Sequence, residues 1–135
     1  MILIDTNILL DVATRDSHWA EWSVQAVENE AVKGPLYINA VVYAELSTRY
    51  AAVEAVDDFV AQTGVQMIEI PRTAAFLAAK AYERYRAVGG IKTGVLSDFF
   101  IGAHAAALDI PVLTRDVRRY RTYFPKLRLI APQLN

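Results

Sequence analysis

Four acids, Asp5, Glu45, Asp98 and Asp116, are the residues of this 135-residue chain whose types and settings could support chemistry. Asp5 closes the apolar run Ile2-Leu3-Ile4, which reads as a short buried strand, and Thr6 and Asn7 after it are types that suit turns and helix starts. Asp5 therefore stands where a strand hands over to a helix, the edge at which open α/β sheets bind ligands. Asp116 comes one residue after a second such run, Pro111-Val112-Leu113-Thr114. If the two strands are neighbours where the winding of the sheet reverses, the two carboxylates lie side by side. Asp98 opens the helix before that second strand. Glu45 follows Val41 and Val42 by four and three residues and so shares their helix face, an unusual place for an acid that is neither paired nor coordinating. Each acid also has an ordinary explanation: a helix N-cap for Asp5 and Asp98, a turn for Asp116, and for Glu45 an exposed pair with Arg49 worth only ~0.3–0.5 kcal/mol.

Gathering such groups has a consequence. Two unit charges ~4 Å apart repel by ~4 kcal/mol at an effective dielectric of ~20, so a carboxylate cluster either takes up protons or binds a cation. The chain has no Cys and two His, which leaves oxygen donors and favours Mg²⁺ or Mn²⁺ over Zn²⁺. Such a centre suits phosphoryl chemistry, in which the metal activates water, clamps the phosphate and stabilises the leaving oxygen.

The elements that must position these acids can be read in order. A short helix, Ile8 to Val12, follows Asn7, and Ser17 caps a second helix carrying Trp19, Trp22, Ala26 and Val27. Gly34-Pro35 ends it, Leu36-Tyr37-Ile38 is strand two, and Asn39 caps the helix that bears Glu45. Val53 to Gln62 is helical and stops near Gly64, Val65 to Ile70 is strand three, and Pro71 and Thr73 open a long helix that ends at Gly89-Gly90. Gly89 to Gly94 is a loop, Ser97 or Asp98 caps a helix over Phe99 to Leu108, and Leu127 to Ile130 is strand five. Strands separated by helices at this spacing predict a parallel sheet, wound in two directions from near strand one, in a single three-layer α/β domain over residues 1–135.

Composition sets further bounds. Hydrophobic residues make up 54% of the chain and the mean hydropathy is +0.20, which leaves little polar surface and predicts an oligomer or a permanent partner. No apolar run approaches the ~20 residues of a membrane span, and Asp5 interrupts the start too early for a signal peptide. The absence of Cys fits a reducing cytoplasm. A net charge of −1 says nothing by itself about nucleic acid.

Ile4-Asp5-Thr6-Asn7, Tyr43-Ala44-Glu45-Leu46-Ser47, Ser97-Asp98-Phe99-Phe100-Ile101-Gly102-Ala103-His104-Ala105 and Leu113-Thr114-Arg115-Asp116 together resemble the PIN-domain ribonucleases. More closely, they resemble the VapC toxins of bacterial and archaeal toxin–antitoxin pairs. The resemblance covers essentially the whole chain. It implies a parallel sheet in the order 3-2-1-4-5 and Mg²⁺- or Mn²⁺-dependent endonucleolytic cleavage of RNA, tRNA or rRNA, leaving a 5′-phosphate and a 3′-hydroxyl. It also implies a homodimer and a VapB-like antitoxin that blocks the site. Carried over by position, Asp5, Glu45, Asp98 and Asp116 match the acidic quartet, with Asp5 and Asp98 as direct metal ligands and Glu45 and Asp116 acting through water or on a second ion. Thr6, Asn7 and Thr114 match supporting polar positions. One departure is Ser97, where close relatives often carry Pro; Ser still permits a helix start.

Other features divide between two readings. Arg115, Arg118, Arg119, Arg121, Lys126 and Arg128 are six of fourteen basic residues, set against one acid in their span and interleaved with Tyr120, Tyr123 and Phe124. They form either an RNA track next to Asp116 or a solvated face whose aromatics point into the core. His104 lies six residues after Asp98, about 120° around the helix, and reads as a packed histidine, while His18 reads as surface. That placement argues against a metal-free two-histidine ribonuclease. Gly102, on Asp98's side of its helix, costs ~1 kcal/mol relative to Ala and is read first as a packing position. Lys92 is a loop lysine within reach of substrate at most. Ala74, Ala78, Ala81, Tyr82 and Tyr85 present a small-residue surface that is either core or dimer interface. Two rivals stand beside the nuclease: an aspartyl phosphatase, disfavoured because Asn7 holds the position of its second Asp, and a non-catalytic RNA- or protein-binding module.

Overall fold

The computed structural model describes residues 1–91 and 96–133. Its centre is β1 (Ile2–Ile4), buried along its whole length. Three large apolar residues in a row cannot face water on either side, so this strand must lie between two others and beneath helices on both faces. β1 pairs in parallel with β2 (Leu36–Ile38), Leu3 opposite Tyr37, and with β4 (Val112–Leu113), Leu3 opposite Val112. β3 (Gln66–Met67) and β5 (Leu129–Ile130) flank these, and the five-stranded parallel sheet has the order β3-β2-β1-β4-β5. The order 3-2-1-4-5 and the three-layer α/β class thus hold, and β1 and β4 are neighbours.

Between the strands run α1 (Thr6–Thr14), α2 (Ala20–Lys33), α3 (Ala40–Ser47), α4 (Val53–Thr63), α5 (Arg72–Ala87), α6 (Leu96–Leu108) and α7 (Arg118–Tyr123). Right-handed crossovers place α1 to α4 on one face and α5 to α7 on the other. The helix contacts agree: α1 packs on α2 and α3, while α6 packs on α5 and α7. The two groups meet where α3 touches α6, through Asn39 and buried His104 at 3.1 Å. Leu3, Ile4, Ile38, Val112 and Leu113 are wholly buried, and Ala78, Ala81, Phe99 and Ala103 form a second core between α5 and α6. The alanine stripe of α5 is therefore core, since only small side chains let the two helices approach closely.

Several boundaries move. β3, β4 and β5 are two residues each, shorter than the apolar runs that announce them. The ladder nevertheless runs on: Ile68 N donates to Ile38 O at 2.9 Å and Thr114 N to Ile130 O at 3.0 Å. α1 is longer than expected, starting directly at Thr6. Ser17 does not cap α2; the Asp16 carboxylate accepts from His18 N and Trp19 N and shapes the turn into it. Asn39 caps α3 as expected, accepting from Val41 N and Val42 N, and Gly64 ends α4 at φ 80°. α6 begins at Leu96, which puts Ser97 and Asp98 inside its first turn instead of at the cap. Part of the loop Gly89 to Gly94, with Lys92, lies outside the described residues. α7 is an element the sequence reading leaves as connection.

Candidate active site

Asp5 occupies the N-cap position of α1 but its side chain does not cap the helix. It turns into the protein, 4% exposed, and its Oδ2 accepts from Thr114 Oγ1 at 2.7 Å and Tyr120 OH at 2.8 Å, with Asn7 Nδ2 more distant at 3.4 Å. Thr114 has one proton to give. It receives from Asn7 Nδ2 and Asp116 N, and of its two possible acceptors the Asp5 carboxylate at 2.7 Å is nearer than Asp116 O at 3.2 Å, so the proton goes to Asp5. The parallel β1–β4 pairing makes this possible, because Asp5 N donates to Leu113 O and brings the two strand ends level. Among the described residues, Asp5 Oδ1 accepts no hydrogen bond. One oxygen is fixed and the other left open.

Burial is the main force on this carboxylate and pushes its pKa up; the bonds from Thr114 and Tyr120 oppose it, and the charge of Glu45 adds to it. Asp98, on the first turn of α6, is pushed up to about 7, by burial first, then by the charge of Asp5, with Arg119 opposing and Glu45 adding. Glu45 accepts a 2.6 Å hydrogen bond from Thr6 Oγ1 and makes no ion pair with Arg49 among the described residues. Asp5, Glu45 and Asp98 thus feel one another's charge. Asp116 is close in the backbone yet directed elsewhere: Arg118 donates to both its oxygens, Nε at 2.9 Å and a terminal nitrogen at 2.7 Å, and that pairing holds its pKa low.

Among the described residues, no three His, Asp or Glu side chains stand close enough to hold an ion as they are arranged. The donor set nonetheless fits a hard cation. It is entirely carboxylate, it leaves Asp5 Oδ1 open, and burial, with a smaller share from mutual repulsion, raises Asp5 and Asp98 in a way that a cation would offset. Two guanidiniums currently supply positive charge: Arg118 at Asp116, and Arg119, whose terminal nitrogen reaches Asp98 Oδ2 at 3.2 Å.

The remaining assignments sort clearly. His104 is a packed histidine, wholly buried against Asn39 with its pKa lowered by burial, and His18 is exposed. Arg115 lies on Asp11, Nε at 2.7 Å, and faces Trp19, its carbon 5.5 Å from the ring centre. Arg121 is exposed. Of the interleaved aromatics, Tyr120 is buried and Phe124 packs against both cores, while half-buried Tyr123 packs against the second core and also lines a surface hollow. Sequence reasoning missed Tyr120 as a donor to Asp5. Its signal was present in Val117, Tyr120 and Phe124, an apolar stripe at helical spacing hidden among arginines. Gly102 completes that arrangement. A Cβ there would lie 2.5 Å from Phe124 ring carbons and 3.2 Å from Tyr120, so the missing side chain lets α7 seat against α6 and Tyr120 reach Asp5.

A parallel 3-2-1-4-5 sheet with buried Asp5 and half-buried Glu45, Asp98 and Asp116 near its carboxyl edge is a small open α/β domain with its acids where such sheets bind ligands. The PIN domain model matches residues 2–125, and the chain belongs to the PIN-domain family. No curated protein matches the sequence significantly. Among solved structures, a chain of the VapBC2 complex of Rickettsia felis bound to a promoter DNA fragment is similar at a TM-score of 0.73 and 19% identity, over 98% of this chain and 100% of that one. A toxin–antitoxin complex of Klebsiella pneumoniae gives 0.69 at 21% identity, covering 100% of both chains. VapBC-1 of nontypeable Haemophilus influenzae gives 0.69 at 18%, over 97% and 98%.

Proposed function

We propose that this PIN domain is a divalent-metal-dependent endoribonuclease and the toxin of a VapC-type toxin–antitoxin pair. The observation that carries the reading is Asp5: a buried carboxylate with one oxygen held by neutral donors and the other open, its pKa raised by burial and by the charge of Glu45, beside an Asp98 raised in turn by burial and by the charges of Asp5 and Glu45. Asp5 and Asp98 hold Mg²⁺ or Mn²⁺, with Glu45 contributing charge and Asp116 joining once Arg118 releases it. A bound ion of this kind supplies Lewis acidity to a phosphodiester and to water. The chain's own groups do the rest. Thr114, Tyr120 and Asn7 oppose the burial that raises Asp5 and keep it aimed, Thr6 orients Glu45, and Arg118 and Arg119 are placed to take up phosphate charge.

Similarity to chains from toxin–antitoxin complexes supports an antitoxin as partner. Exposed Phe76, Leu77, Val88 and Ile91, in and after α5, offer apolar surface for it or for a second copy in a homodimer. Among the described residues, no helix is long and apolar enough to cross a membrane, and we place the protein in the cytoplasm with its RNA substrate. The reading is tested by incubating the purified chain with structured RNA in Mn²⁺ or in EDTA and mapping the ends. Cleavage with 5′-phosphates that needs the ion and Asp5 is expected. Equal cleavage in EDTA, or by Asp5→Asn, overturns the mechanism. Tight RNA binding without cleavage by the wild type instead favours a non-catalytic module.

A further inference from the structure

Beside the acid cluster, between the end of α5 and α7, lies a hollow of about 290 Å³ lined by Tyr85, Arg118, Arg119, Thr122 and Tyr123. Its composition is uncommon for a plain surface dent. Tyr85 and Tyr123 meet nearly at right angles, ring centres 6.1 Å apart, and make an aromatic corner. The Arg119 guanidinium lies 5.6 Å from the centre of the Tyr85 ring, and Arg84 stands 6.0 Å from that of Tyr123. Thr122 adds an exposed hydroxyl-bearing side chain at the rim. Aromatic faces, guanidinium planes and a hydroxyl are the groups that receive an unpaired base and its phosphate, and they are sequence-tolerant because every base has a π face.

The two arginines tie this hollow to the site. Arg118 lines it and holds both oxygens of Asp116, and Arg119 lines it and reaches Asp98. Arg119 Nε is buried and has no hydrogen-bond partner among the described residues. That nitrogen is closed off from solvent, so the charge that Arg118 and Arg119 together bring to the lining, and not this atom itself, is what a phosphate in the hollow would meet. A nucleotide here would sit directly next to the carboxylates.

We propose that this hollow is a subsite for one unpaired nucleotide, with Tyr85 and Tyr123 receiving the base and Arg118 and Arg119 its phosphate. That the polymer is RNA rests on the nuclease reading above. Because a stacked, paired base cannot enter a corner between two helices, the subsite selects single-stranded or looped segments and positions the adjoining bond at the acids.

The test uses the full chain in an Asp5→Asn background, with fluorescence anisotropy of a labelled single-stranded oligouridylate, an oligoadenylate and a duplex RNA. Thr122→Trp, a change at an exposed helix position, fills the hollow and is expected to weaken single-strand binding by about tenfold or more while duplex binding stays level. Tyr85→Leu weakens it similarly, and Tyr85→Phe, which keeps the ring, binds like its parent. Single-strand affinity unchanged by Thr122→Trp overturns the subsite, as does an equal loss for single strand and duplex, which would show bulk charge alone. Cleavage by the wild-type chain is read separately. A chain that does not cut RNA but loses single-strand affinity with Thr122→Trp removes the nuclease reading and leaves the subsite standing. A chain that cuts RNA and binds single strands equally well with Thr122→Trp removes the subsite only.

Discussion

α1 is bracketed by two buried aspartates that the protein treats in opposite ways. Asp11, 2% exposed, meets the Arg115 guanidinium through both oxygens, at 2.7 and 3.1 Å, and receives a further hydrogen bond from Ser23 Oγ at 2.9 Å. Its charge is matched and its acceptors are used. Asp5, 4% exposed at the other end of the helix, has only uncharged donors, all on one oxygen, and its nearest charges are other acids. A protein that builds a closed ion pair at Asp11 has the means to do so at Asp5 and does not. Asp11 fastens α1 to the segment after β4 and to α2; Asp5 is held in an unfavourable state, which is how sites that bind a cation or move a proton are built.

Neutralising each acid in turn should separate the two roles most widely. Asp11→Asn leaves the buried end of Arg115 without its counter-charge and is expected to lower stability by about 1–3 kcal/mol, read as the denaturant midpoint, with RNA cleavage reduced only as far as folding is. Asp5→Asn removes repulsion with Glu45 and Asp98 and keeps an acceptor for Thr114 and Tyr120, so stability should hold or rise while cleavage falls by about a thousandfold or more. Loss of stability at Asp5→Asn matching that at Asp11→Asn would erase the distinction.

The difference between the two aspartates was only half legible in the sequence. Asp5 declared itself because Ile2-Leu3-Ile4 fixes a buried strand, and the end of such a strand is a binding edge. Thr114 and the β1–β4 pairing came from the resemblance to PIN-domain ribonucleases, since the apolar run Pro111 to Thr114 showed a second strand near Asp116 without showing which strand it pairs with. Asp11 did not, because its partner lies 104 residues away and nothing local marks a buried acid in an amphipathic helix. Tyr120 was left between an RNA track and the core for a similar reason: in Arg118-Arg119-Tyr120-Arg121 the charges dominate, and the stripe that buries the ring becomes visible only once Phe124 and Gly102 are known to touch. The arginines showed the same limit. Their number was plain, and Arg118 pairs locally with Asp116, but that Arg115 and Arg119 would find Asp11 and Asp98 depends on tertiary distances that no spacing encodes.

The acid cluster should also set the response to pH. Asp98 has a folded pKa of about 7 against an ordinary value of 3.8, and Asp5 is raised as well. Between those values the folded chain binds more protons than the unfolded one, so these groups make stability fall as pH rises from about 4 to about 7. Asp116, held low by Arg118, acts in the opposite sense and loses its contribution in acid. A divalent cation competes with the protons on Asp5 and Asp98. Buried His104, its pKa lowered, sets an opposite slope at about pH 6. In EDTA the Asp5 and Asp98 effect is therefore read as the wild-type melting temperature relative to that of Asp5→Asn, a difference that should fall between about pH 5.5 and about pH 8. Mn²⁺ should raise the wild-type value by several degrees at the higher pH and little at the lower. Asp11→Asn should preserve this metal- and pH-dependent shift, whereas Asp5→Asn should remove most of it. An Mn²⁺ shift of the same size at both pH values would mean the ion binds elsewhere.

The smallest effect expected is at Tyr120. Burial, then the charge of Asp5, hold its hydroxyl well above its ordinary pKa, so it remains a neutral donor throughout the working range. Tyr120→Phe keeps the ring packed between α7 and α6 and deletes only the 2.8 Å bond to Asp5 Oδ2. Thr114 still holds that oxygen at 2.7 Å, so the carboxylate keeps its direction but loses part of what favours its charged form. The pKa of Asp5 should climb further, and the metal dependence of cleavage should shift to higher pH and about tenfold higher ion concentration, with the maximal rate at saturating Mn²⁺ nearly restored. If Asp5 were merely another packed carboxylate like Asp11, Tyr120→Phe would cost about 1 kcal/mol of stability and leave the metal titration where it was.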